Sequence, residues 1–159
     1  MEKIRVHIAD DHKILIDGIK AVLKTENSIE VIGQSLNGID VLNWFEAGNA
    51  CDVLVLDINM PKMDGITTCA EIRKIPDLSS VLILYLTARS EEYSELAGFD
   101  AGADDYVTKP IKPKKDKPVI DNRIDDWVYS NVKVPQRPYF SDVMQIALYK
   151  HSCSLPPFL

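Results

Sequence analysis

Two periodicities of apolar residues alternate along the first 111 residues of the chain. Short apolar runs, bounded by polar or turn-forming residues, predict strands. The five predicted strands are 4–9, 29–36, 52–57, 81–86 and 104–107. Between them, apolar residues recur at three- and four-residue spacing, which predicts helices. Strands that alternate with helices in this way predict an α/β fold, with a parallel sheet covered by helices on both faces.

Four helices are predicted within the same 111 residues. The first carries an apolar stripe made of Leu15, Ile19, Val22 and Leu23. The second ends near Gly48, and the third begins at Asp64-Gly65 and is stopped by Pro76. The fourth covers residues 91–101.

The pattern changes after residue 111. Six of the nine prolines lie there, and residues 112–118 are basic and rich in proline. Apolar residues then recur in a way that predicts a fifth helix within 119–132. We therefore expect one domain over residues 1–132, with its core in 3–111. Residues 133–159 form a C-terminal extension that is too short for a separate output domain.

Composition narrows the class of protein. A chain of 159 residues suffices for one ordinary domain, and no apolar run approaches the roughly 20 residues that cross a bilayer. Three irregularly spaced cysteines and the absence of a signal-peptide pattern predict reduced thiols and a cytoplasmic location, with Cys51 and Cys69 as core residues. Residues 1–111 carry a net charge of −9 and residues 112–159 carry +3. The acidic part suits a cation site and disfavours non-specific nucleic-acid binding.

Polar side chains follow four of the predicted strands. Asp10 and Asp11 follow the first strand, Asp57 ends the third, Thr87 follows the fourth and Lys109 follows the fifth. The carboxyl ends of parallel strands meet at one edge of the sheet, where open α/β folds bind ligands. Three acids, a hydroxyl and an amine at one edge predict a site for a divalent cation and a phosphoryl group.

This arrangement resembles the receiver domain of bacterial two-component response regulators. The sequences of residues 57–65 and 101–110 are close to those usual in the family, and the resemblance covers residues 3–111. The resemblance implies a doubly wound, five-stranded parallel sheet flanked by helices. This is the flavodoxin-like fold, with strand order 2-1-3-4-5.

The resemblance also implies a Mg²⁺-dependent reaction. Asp57 is then the phosphoacceptor, a nucleophile that takes a phosphoryl group from a kinase histidine and needs no general base. Asp11 binds Mg²⁺ directly and Asp10 largely through water. Asp57 and the backbone carbonyl of Asn59 supply further oxygens. Lys109 pairs with a phosphoryl oxygen.

A conformational switch is implied by the same family. Thr87 donates its hydroxyl to the phosphoryl group, and Tyr106 swings inward into the space that Thr87 leaves. Asn59 and Arg89, at the mouth of the crevice, are expected to set the lifetime of the phosphorylated state. The face that changes comprises the fourth helix, the fifth strand and the fifth helix.

The expected partners follow from this reading. They are a histidine kinase or phosphotransfer protein, and a downstream protein target or a second copy bound through the switching face. No membrane association is expected, and direct DNA binding is not expected of this chain, since the tail lacks a helix-turn-helix pattern. The protein is predicted to assist its own phosphorylation and dephosphorylation rather than to be an enzyme.

Several alternatives stay open on the residues alone. A haloacid-dehalogenase-type phosphatase also forms an aspartyl phosphate, but it wants an Asp where this chain has Asn59. A Rossmann domain would need a glycine-rich fingerprint that is absent here. The remaining alternatives are a non-phosphorylated interaction module and a truncated DNA-binding transcriptional regulator. Among neighbouring residues, Asp64 is read as a helix start, His7 as structural, and His12 as bordering the site.

Overall fold

A computed structural model describes residues 3–88 and 100–109, all within the first of the two units into which the chain divides, residues 1–109. Five strands form one parallel sheet. They are β1 (Ile4–Ala9), β2 (Ile29–Ser35), β3 (Val53–Asp57), β4 (Leu82–Ala88) and β5 (Asp105–Lys109). Their order is β2-β1-β3-β4-β5, which confirms the fold class and strand order expected from the sequence.

Helices follow the first three strands of the sheet. They are α1 (Lys13–Leu23), α2 (Gly38–Glu46) and α3 (Gly65–Arg73), and a short 3-10 helix covers Pro76–Leu78. Asn37 caps α2 by accepting the backbone N–H of Asp40 at 3.0 Å, and Asp64 caps α3 by accepting that of Thr67 at 2.6 Å. The reading of Asp64 as a helix-start residue is therefore confirmed. Nearly all of the predicted fourth helix and all of the predicted fifth helix lie outside the described residues.

The apolar stripe predicted for α1 is partly wrong. Ile16, Ile19 and Leu23 are the buried residues, whereas Val22 is 38% exposed. Seven of the eleven residues of α1 are apolar and cover more than one face of the helix, so spacing alone does not select the side that packs. Contact with the sheet decides it.

The central strand holds the edge where the site lies. All five residues of β3 are buried, with β1 on one side and β4 on the other. Cys51 and Cys69 are buried, as predicted, and burial raises the pKa of the Cys51 thiol to about 12. Among the described residues, no helix has the length and apolar character needed to span a membrane.

One arginine joins α3 to the start of β5. The Arg73 guanidinium donates to the backbone oxygens of Gly102 (2.8 Å) and Val81 (2.9 Å) and to the Asp104 carboxylate (2.9 Å). The same Asp104 oxygen accepts the backbone N–H of Ile83 at 2.8 Å. This partly buried network fixes where β5 begins relative to β4.

A buried histidine lies in β1. The side chain of His7 is fully buried, its Nε2 lies 2.8 Å from Ser35 Oγ, and its ring lies 4.2 Å from that of Trp44. Nδ1 has no hydrogen-bond partner among the described residues and faces Gly33, where a Cβ would come within 2.5 Å of it. The favoured form is therefore the neutral tautomer in which Nε2–H donates to Ser35. A proton on Nδ1 would have no acceptor.

Acid is expected to destabilise the protein through His7. Burial lowers the pKa of His7 to about 4, below its ordinary value of about 6.5. Between these values the unfolded chain binds a proton that the folded chain excludes, so stability falls as the pH falls. The loss attributable to His7 is on the order of 3 kcal/mol and is complete below about pH 4.

Urea unfolding of wild type and His7→Phe across that pH range isolates this contribution, since other titrating groups are common to both proteins. We expect the wild type to lose more stability than the variant between about pH 6.5 and pH 4. Parallel pH profiles would contradict the assignment.

Candidate functional site

The carboxyl ends of β1 and β3 bring four potential ligand atoms together. Asp10, Asp11, His12 and Asp57 each offer one such atom, and all four lie within 4.8 Å of one another. Asp10 is fully buried and Asp57 is 4% exposed, whereas Asp11 and His12 face solvent. The structure thus brings together the three acids that the sequence predicted and adds an imidazole.

Backbone contacts hold the loop between β1 and α1. The backbone N–H of Asp10 donates to the carbonyl of Ser35 at 3.1 Å, which continues the pairing of β1 with β2. One Asp10 carboxylate oxygen accepts the backbone N–H of His12 at 2.8 Å. This carboxylate therefore organises the loop as well as contributing negative charge to the crevice.

The loop between β3 and α3 is held equally closely. Ile58 N–H donates to the carbonyl of Leu86 at 3.2 Å, and Gly65 N–H donates back to the carbonyl of Ile58 at 2.8 Å. A Cβ on residue 65 would lie only 2.2 Å from the carbonyl oxygen of Asp57. Only glycine allows α3 to begin this close to the strand, so Gly65 is part of what positions Asp57.

β4 and β5 carry the backbones of Thr87 and Lys109 to the same edge. Asp57 pairs with Leu86, so Thr87 lies one residue beyond that pair, and Lys109 pairs with Ala88. The side chains of Thr87 and Lys109, and all of Arg89, lie outside the described residues. Their predicted contacts with a phosphoryl group stay predictions.

Tyr106 lies on β5, and β4 separates that strand from β3, which carries Asp57. It pairs with Tyr85 across β4 and β5, is partly buried, and packs against the main hydrophobic cluster. Thr87 lies two residues along β4 from the position that pairs with Tyr106. The register therefore places the two predicted switch residues on neighbouring strands.

The electrostatics of the crevice fit a hard divalent cation. Three carboxylates with oxygens this close repel one another unless a positive charge lies between them. Carboxylate oxygens are the ligands that Mg²⁺ prefers. Asn59 is exposed in the loop that follows Asp57, and the contribution of its backbone carbonyl to a cation site stays a prediction.

His12 was predicted only to border the site, and its contact with the carboxylates was not predicted. Its Nδ1 lies 2.9 Å from Asp11 Oδ1 and 3.2 Å from Asp10 Oδ1. The only signal in the sequence was its place directly after the acidic pair, and a residue at the start of a helix can point in several directions.

Comparison with known proteins decides the family. Residues 6–120 match the response regulator receiver domain. The chain belongs to this family. The transcriptional regulatory protein YvrH of Bacillus subtilis is 38% identical over 113 residues, which are 71% of this chain and 46% of that protein. The receiver family's fold and its place in two-component signalling thus apply to this chain.

Solved structures of receiver proteins resemble the described fold. The RcsB response regulator of Salmonella typhimurium is 28% identical with a TM-score of 0.62, over 69% of this chain and 53% of that one. The receiver domain of the sensor histidine kinase PA1611 from Pseudomonas aeruginosa is 25% identical with a TM-score of 0.61, over 69% and 88%. That structure holds a magnesium ion in its active site cleft. The receiver chain described here spans less than half the length of the curated relative YvrH.

Proposed function

We propose that this receiver takes a phosphoryl group on Asp57 in a Mg²⁺-dependent reaction. The observation that supports this most is the buried Asp57 carboxylate at the end of β3, with oxygens of Asp10 and Asp11 within 4.8 Å. An ionised carboxylate attacks phosphorus without a general base, and a cation in the crevice offsets the charge on the phosphoryl oxygens.

The residues that hold the cation have different roles in this proposal. Asp11, Asp57 and the backbone carbonyl of Asn59 are direct ligands. Asp10 acts largely through water, because one of its carboxylate oxygens already accepts the backbone N–H of His12. The site of PA1611, which holds magnesium, supports the same choice of ion.

In this proposal, residues of β4 and β5 transmit the effect of phosphorylation to a protein-binding face. Lys109 neutralises a phosphoryl oxygen and Thr87 donates its hydroxyl to another, while Tyr106 changes position as Thr87 moves. The adjacent strands and the packing of Tyr106 against the core support a coupling between them. Phosphorylation thereby shifts a two-state equilibrium of a protein-binding face.

The proposed donor is a histidine kinase or a phosphotransfer protein, and the proposed target is a downstream protein or a second copy of the chain. The protein is a phosphoacceptor that assists its own phosphorylation and dephosphorylation. A second candidate function is that of the receiver part of a DNA-binding transcriptional regulator. It is favoured because YvrH is a transcriptional regulatory protein and the chain matches 46% of it.

Incubation of the chain with Mg²⁺ and acetyl phosphate tests the proposal without a kinase. We expect the intact mass to rise by one phosphoryl group, and peptide mapping to place the group on Asp57. Chelation of divalent cations is expected to suppress the reaction. A chain that gains no phosphoryl group under these conditions, or gains it on another residue, overturns the proposal.

The lifetime of the phosphorylated state is expected to depend on Asn59. Its exposed side chain follows Asp57 by two residues, where it can orient an attacking water. Asn59→Ala, and likewise Arg89→Ala, should change the rate of phosphoryl loss more than the stability of the fold. Phosphoryl decay after rapid removal of the donor, compared with urea unfolding, checks this. Unchanged decay rates in both variants would refute it.

A further inference from the structure

Among the described residues of the acidic crevice, one potential ligand atom is not an oxygen. The Nδ1 atom of His12 lies 2.9 Å from an oxygen of Asp11 and 3.2 Å from an oxygen of Asp10. Together with a carboxylate oxygen of Asp57, these atoms fall within 4.8 Å of one another. A single ion placed among the carboxylates therefore also has the imidazole nitrogen within reach.

Hydrogen bonds of the main chain fix the position of the His12 backbone, from which the imidazole extends. His12 N–H donates to Asp10 Oδ1 at 2.8 Å, and its carbonyl accepts the N–H groups of Leu15 (3.0 Å) and Ile16 (3.2 Å) at the start of α1. His12 is the N-cap residue of α1, yet its side chain makes no capping hydrogen bond. The ring turns towards the carboxylates instead.

The position of the His12 imidazole affects which metal ions the crevice can bind. Mg²⁺ prefers oxygen ligands, whereas imidazole nitrogen suits transition-metal ions such as Co²⁺, Ni²⁺ and Zn²⁺. We propose that His12 Nδ1 is a further ligand in this crevice, beside the carboxylates of Asp11 and Asp57, and that it selectively raises the affinity of the site for divalent transition-metal ions relative to Mg²⁺. This inference rests on the proposed cation site and concerns which ions that site selects.

A different role for His12 makes a different prediction. An imidazole that only pairs electrostatically with Asp10 and Asp11 competes with every cation in the same way. Its removal would then shift the affinities for Mg²⁺ and for a transition-metal ion together. An imidazole that binds the ion itself strengthens only the binding of ions that accept nitrogen.

Titration calorimetry of the full chain with Co²⁺ and with Mg²⁺, at one fixed pH, separates the two roles. In His12→Phe we expect the dissociation constant for Co²⁺ to rise about tenfold or more, while that for Mg²⁺ changes by less than about threefold. His12→Asn supplies an amide oxygen in place of nitrogen and should also lose Co²⁺ affinity selectively. Because the side chain of His12 is 70% exposed, both variants are expected to fold.

Spectroscopy locates the ion. Co²⁺ is expected to shift the ring-proton NMR signals of His12 strongly in the wild type, and Asp57→Asn is expected to weaken the binding of both ions. Equal changes in Co²⁺ and Mg²⁺ affinity on loss of His12 overturn the inference, as does Co²⁺ binding that Asp57→Asn leaves intact. Failure of the wild type to bind either ion refutes the proposed cation site itself, which is a distinguishable result.

Discussion

Asp57→Asn is expected to abolish phosphoryl incorporation from acetyl phosphate, with a fall of at least about two orders of magnitude in the labelling rate. Asn keeps the shape of the side chain, so the buried position at the end of β3 is still filled. An amide, however, lacks the anionic oxygen that attacks phosphorus. It also removes one negative charge from the proposed cation site.

Asp64→Asn is the matched control, because it makes the same chemical change seven residues later. Asp64 is exposed and caps α3 through the N–H of Thr67, and Asn caps helices about as well as Asp. This variant should fold normally and be labelled like the wild type. Intact-mass measurement over time checks both proteins. Sustained labelling of Asp57→Asn would contradict the assignment of the acceptor.

Gly65→Ala is expected to destabilise the fold by about 2–3 kcal/mol and to slow phosphorylation. The added Cβ would lie 2.2 Å from the carbonyl oxygen of Asp57 and 3.0 Å from the Cα of Ile58. These are backbone atoms of a buried strand end, so no flexible side chain can move aside. The strand end or the start of α3 must shift instead, and either shift displaces Asp57.

Gly18→Ala is expected to stabilise the same fold, in contrast to Gly65→Ala. Gly18 lies inside α1, and a Cβ built there meets no heavy atom of the described residues within 4 Å apart from the neighbouring backbone of its own helix. Because alanine favours a helix over glycine, this variant should gain about 0.5–1 kcal/mol. Urea unfolding of both variants, together with acetyl phosphate labelling, checks the pair. Equal free energies of unfolding of the two variants would show that the close approach of residue 65 to the Asp57 carbonyl does not determine the stability of the fold.

The strands of this fold were predictable because each is a short apolar run bounded by polar or turn-forming residues. β1 was predicted with its observed bounds, and β2 and β3 were predicted within one residue at each end. The predicted ends of β4 and β5 were wrong by two residues, because both strands extend further and contain Thr87 and Lys109 rather than ending before them. The face of α1 was not predictable, since Val22 and Ile16 are equally apolar and only contact with the sheet distinguishes them. Local pattern identifies an element, and packing selects which side of it is buried.

The acids of the site were predictable for a related reason. In a parallel sheet the carboxyl ends of all strands lie at the same edge, so Asp10, Asp11 and Asp57 were expected there once the sheet was inferred, and the strand order that the family resemblance implies places β1 beside β3. His12 did not follow from that argument, because it lies past the strand, where direction depends on how α1 begins. Gly65 was read as part of a helix start, and its contact with Asp57 emerged only from the geometry of the loop.

The order of residue types along this chain therefore determined the α/β class, the parallel sheet and the acidic edge, since periodicity is a local property and strands that alternate with helices pair in parallel. The tertiary structure alone decided which residues touch at that edge. It turned the imidazole of His12 towards the carboxylates and pressed Gly65 against the carbonyl of Asp57. Such contacts depend on distances between separate loops, and no spacing along the sequence encodes those distances.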